Sequence, residues 1–148
     1  MPARKKRADE NGQPRKPVNE HLYNSLKNKA ERHGAVILRG SDDVHAHLES
    51  RGVLASSVGD IIMLRADATT SEVLEEFFHL EQHWRNDYSE LPNKEMQIRR
   101  EIDAQMYLIR VARRYNIPSE ETSLTLRNLR DYQKQLEDLL NADKRRTT

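Results

Sequence analysis

The chain has 148 residues, 36% of them hydrophobic and 33% charged, with a formal net charge of +1 and no cysteine. That length suits one domain, and so small a net charge gives no field of either sign to point at nucleic acid. Without cysteine, thiol catalysis, cysteinyl zinc sites and disulfide staples are excluded, so any metal must be held by His, Asp, Glu or Asn.

Residues 1–17 are basic and polar, interrupted by Pro2, Gly12, Pro14 and Pro17, and read as a disordered tail. A nucleic-acid arm is the functional alternative for such a tail, but nucleic acid is not expected as a partner of the whole. The basic start, Met1 to Arg7, lacks the apolar run of a signal peptide, and Ile61 to Leu64 is far too short to span a bilayer. The expectation is a soluble protein made in the cytoplasm, with no membrane partner.

Val18, Leu22, Leu26 and Ala30 recur every four residues and predict a first amphipathic helix that stops at Gly34. Ala35 to Leu38 is a short apolar run that reads as a buried strand. Ser41-Asp42-Asp43 caps a short helix carrying Val44 and Leu48, closed by Gly52. Residues 53–58, the Gly59-Asp60 turn and residues 61–64 predict a hairpin, or at least one firm strand at 60–65. Thr69-Thr70-Ser71-Glu72 has capping-box spacing, so a helix begins near residue 70 and runs through Trp84.

A long helix is expected from about Lys94 to Tyr115, with Ile98, Ile102, Met106 and Ile109 on one face and Glu101 at its margin. A last helix starts after Pro118 and carries Leu129, Tyr132, Leu136 and Leu139 as an apolar packing stripe. The fold class is therefore α+β, mostly helical, with a small two- or three-stranded sheet. Residues 18–143 form a single domain, and 144–148 a frayed end.

One constellation carries chemistry. The turn of a helix places Glu75, His79, His83 and Glu76 side by side along one stripe, while Leu80, Trp84 and Phe77 fall on the arc next to it. Glu75 and His79 are one turn apart, the spacing at which two side chains grip one ion. The same stripe can equally be a solvated helix face, which makes the chain a non-enzymatic helical interaction domain. His79 and His83 alone can chelate a metal. His45 and His47 are two apart on their helix and face opposite sides. The chain has a single Glu-x-x-His motif, where a di-iron bundle needs two.

The span from Gly59 to His79, a strand, a short polar linker and then a helix, resembles the setting of a zincin active-site helix. There a His-Glu-x-x-His set supplies two ligands and a catalytic Glu, and Glu75 stands here where the first His belongs. Arg99-Arg100-Glu101-Ile102-Asp103-Ala104-Gln105 resembles the downstream segment that supplies a carboxylate ligand.

The chain thus resembles, from about residue 35 to 140, the zincin-like metallopeptidase toxin domains of bacterial polymorphic toxins, in a Glu-Glu-x-x-His variant. The resemblance implies a zincin-like domain with Glu75, His79 and Glu101 as metal ligands and Glu76 as the general base. It implies a metal-dependent peptidase acting on a protein or peptide substrate. The enzyme would be delivered as a toxin into a target cell and neutralised by an immunity protein. Zinc is the first expectation, but two carboxylates and one imidazole form a harder ligand set that brings manganese and iron into competition. Two carboxylate ligands also leave less positive charge to acidify a bound water.

Overall fold

The computed structural model describes residues 15–147. The expected tail lies outside these for residues 1–14, whereas residues 15–17 are placed. Five helices and a three-stranded sheet are present among the described residues, which makes the protein α+β and mostly helical. The chain forms two compact units, the first ending at Trp84 and the second beginning at Arg85. No helix of the described residues is long and apolar enough to cross a membrane.

In the first unit, α1 (Glu20–Arg32) starts where Asn19 accepts the Leu22 amide at 3.1 Å. It ends where Gly34, at φ 95°, turns the chain so that the Ala35 amide reaches back to the Ala30 carbonyl at 3.1 Å. A side chain at that φ would be strained, which is why glycine stops the helix there. β1 (Val36–Arg39) follows. Next comes α2 (Asp42–Ser50), capped by the Ser41 hydroxyl on the Val44 amide at 3.2 Å.

β2 (Ala55–Val58) and β3 (Ile61–Leu64) form the expected hairpin, with Val58 opposite Ile61 across the two-residue Gly59-Asp60 turn. β1 joins β3 in parallel, giving the order β1-β3-β2. Side chains alternate across the sheet. Ile37, Ala55, Ile62 and Leu64 are buried in a core with Tyr23 and Ala30 of α1 and with Val73, Phe77 and Leu80 of the next helix. The other face carries Val36, Leu38, Val58 and Ile61, each more than two-fifths exposed.

α3 (Thr70–Arg85) begins with the complete reciprocal cap that its sequence predicts. The Glu72 amide donates to Thr69 Oγ1 at 3.2 Å, and the Thr69 amide donates to Glu72 Oε1 at 3.0 Å. Arg15 then grips the same carboxylate with both terminal nitrogens, Nη1 lying 2.9 Å from Oε2, and sets Nε 3.2 Å from Asp67 Oδ2. Pro17 bridges Thr69, and the Val18 amide donates to the Ala68 carbonyl at 2.8 Å. The last residues assigned to the tail thus have partners, because a buried carboxylate needs a countercharge. Burial raises the Asp67 carboxyl, but the Arg65 hydrogen bond and the charges of Arg15 and Arg65 outweigh it and hold it below its ordinary value.

The second unit is a helical hairpin of α4 (Asn93–Val111) and α5 (Ser119–Thr147). α4 ends four residues earlier than its periodicity suggests. Asn116 at φ 52° lets the Ile117 amide reach the Ala112 carbonyl at 2.9 Å, and Pro118 follows, so the chain closes the helix locally. α5 runs on through residues 144–147 of the expected frayed end. Its last turn carries Lys144, Arg145 and Arg146, whose charge suits the carbonyl end of a helix.

Candidate metal centre

The polar stripe of α3 is not a solvated face. Glu75 is 1% exposed, Glu76 0%, His79 5% and Gln82 0%. A helix turning a core face and a charged face outward would leave those carboxylates in water. Here both arcs are closed off, since Val73, Leu74, Phe77 and Leu80 are buried as well. Burying so many ionisable groups is costly unless each is paired or shares an ion.

On α4 the buried face also differs from the one its apolar residues suggest. Met106 is 45% exposed, while Ile98, Glu101, Ala104, Gln105 and Leu108 are buried. Glu101, 1% exposed, therefore sits at the centre of the inward face rather than at its margin. Its Oε2 accepts the Tyr132 hydroxyl of α5 at 2.8 Å, which offsets part of the cost of burying the carboxylate. Tyr132, expected only to pack, thus supplies a hydrogen bond to a proposed ligand.

Glu75, His79 and Glu101 form a buried group that could hold a metal ion, with one ligand atom from each within 4.8 Å of the others. Two atoms sharing one ion at bond lengths of about 2.1 Å can be at most ~4.2 Å apart, so closing by some tenths of an ångström suffices. The chemistry of the imidazole fits the role. His79 Nδ1 lies 2.7 Å from Oε1 of buried Gln82. An amide oxygen only accepts, so Nδ1 is the donor of this pair, and in the neutral imidazole Nε2 is the nitrogen with a lone pair to offer. That Nε2 lies 3.9 Å from Glu75 Oε2. Two ionised carboxylates this close repel each other, a cost that a shared cation reverses.

Glu76 follows Glu75 in sequence and is buried with it and His79 on α3. His83 does not join the group. It is half exposed, with Nε2 3.5 Å from Asp60 Oδ1. His45 accepts the Ala66 amide at 2.9 Å, a structural role. Gln82 and Tyr132 are the polar partners that the sequence reading missed. Gln82 stands three residues after His79, the spacing of neighbours on a helix, and could have been found by asking what holds the imidazole. Tyr132 had no such signal, because its stripe reads as packing. No protein-family model, curated protein or solved structure matches the chain.

Proposed function

We propose that the protein is a metal-dependent peptidase of zincin type, with Glu75, His79 and Glu101 holding a divalent cation and Glu76 as its base. One observation carries the proposal: two carboxylates and an imidazole, from positions picked out in the sequence, converge in a buried group. A divalent cation bound there would polarise a peptide carbonyl and acidify water. Glu76 would take the proton of the attacking water and return it to the departing amine nitrogen. Gln82 holds the proton on Nδ1 of His79, and Tyr132 fixes one oxygen of Glu101. Two oxygen donors and one nitrogen suit zinc, with manganese and iron as competitors. Use as a toxin, with an immunity protein as partner, rests on the Glu-Glu-x-x-His resemblance alone.

The depth of burial favours a second reading, in which the cation is structural and no substrate reaches it. The two separate on the purified protein. Metal content and affinity are measured with Glu75→Ala, His79→Ala, Glu101→Ala and Glu76→Gln, beside hydrolysis of a denatured protein substrate. Under the peptidase reading Glu101→Ala weakens metal binding by at least ~100-fold, more than loss of a supporting hydrogen bond does. Glu76→Gln keeps the metal and abolishes hydrolysis. Hydrolysis absent from the metal-loaded wild type, with a melting temperature that falls on chelation, supports the structural ion. Metal absent from the wild type and unbound on titration ends both.

A further inference from the structure

A second site lies within the first unit, on the face of α3 turned away from Glu75 and His79. It stands independently of the metal reading. Between α1 and α3 a cavity of about 200 Å³ opens, with Ala30, Phe77 and Leu80 among its lining residues. These three are 4%, 7% and 1% exposed, so the interior is apolar. An apolar cavity of ~150 Å³ is enough to take a benzene ring, and this one is somewhat larger.

Its aromatic wall is held in place. Trp84 donates its indole N–H to Asp60 Oδ1 at 3.1 Å. The His33 ring, anchored through Nδ1 on the Lys29 carbonyl at 2.9 Å, stands 5.7 Å from the Trp84 ring at a 43° tilt. Rings so oriented accept a further ring edge-to-face or offset. Lys29 of α1 and Glu81 of α3 also line the cavity, and both are exposed. They therefore present opposite charges on its two helical walls. An apolar, aromatic-walled interior with one charge of each sign at its margin is complementary to a ring attached to a zwitterion.

We infer that this cavity binds a free aromatic amino acid, ring inward against Trp84, with its carboxylate towards Lys29 and its ammonium towards Glu81. The cavity is too small for a folded segment of a partner protein, and its charges suit both ends of an amino acid rather than an anion or a cation alone.

Trp84 is the single tryptophan of the chain, so its emission, excited where tyrosine does not absorb, reports on the wall of the cavity itself. The test titrates L-phenylalanine into the whole protein, beside phenylacetate, which lacks the ammonium, and phenethylamine, which lacks the carboxylate. About a dozen non-hydrogen atoms allow saturation in the millimolar range or below. The expected result is a saturable change with phenylalanine and at least fivefold weaker binding of either singly charged analogue. Ala30→Leu, which fills the floor, should abolish the response. Lys29→Gln, on the exposed wall, should weaken phenylalanine at least threefold while leaving phenethylamine unchanged, and it remains informative if Ala30→Leu fails to fold. No saturable change, equal binding of all three compounds, or an undiminished response in a folded Ala30→Leu protein would overturn the inference.

Discussion

Tyr88 shows how one residue can be held against its own backbone preference. It sits at φ 59°, a left-handed conformation that costs a bulky residue of order 1 kcal/mol or more. Its hydroxyl donates to Asp103 Oδ2 at 2.7 Å, and its carbonyl accepts the Leu91 amide at 3.0 Å. The hydrogen bond to Asp103, with burial and the Asp103 charge behind it, pushes the phenol up to about 12 from 10.0. The folded state thus keeps the proton more tightly than the unfolded chain does. The stabilisation is complete below pH 10 and is lost as pH rises from 10 towards 12. Ultraviolet titration should include a phenolate that forms near pH 12, and Tyr88→Phe should remove it together with the stability lost over that interval. Gln82 is held to a similar standard. Its amide oxygen fixes the His79 tautomer, so Gln82→Leu, close in volume but with no acceptor, should lower metal affinity roughly 10- to 100-fold in a calorimetric titration. The far-ultraviolet spectrum should be unchanged.

Among the elements, α3 is the one whose start was most legible in the sequence. Thr69 and Glu72 are spaced for a reciprocal cap, and both bonds of that cap form. Thr69→Ala should cost about 1 kcal/mol in denaturant unfolding, the usual loss for a capping hydroxyl. α1, α2 and the β2–β3 hairpin were legible for the same reason, since Gly34, Ser41 and Gly59 act on their immediate neighbours. The inward face of α4 was not. Apolar periodicity put Ile102 and Met106 inside, whereas Glu101 and Gln105 lie there, because a polar residue's burial is decided by the partner it meets. Tyr132, thirty-one positions away, is such a partner, and no local pattern announces it. Glu75 and His79 were readable as a pair from helix spacing. That their stripe is buried was not readable, since the same spacing describes a solvated face.

For the molecule as a whole, composition told what was absent, cysteine and a strong field, more surely than what was present. Residues 15–17, the described end of the expected tail, were the part least well read, because proline and charge suggested a segment without partners. Arg15 corrects that: it lies 57 positions before the carboxylate it grips, at the first turn of the helix that carries the proposed ligands. A chain begun at Val18 would keep every strand and helix described above, yet leave Glu72 buried without that guanidinium. The first-turn amides of α3 should then exchange their hydrogens with heavy water many times faster than in the full chain, while those of α5 exchange as before. The same loosening should follow Arg15→Ala. Proteolytic trimming that reaches past Arg15 would therefore act on the frame of the proposed metal centre without touching any of its proposed ligands.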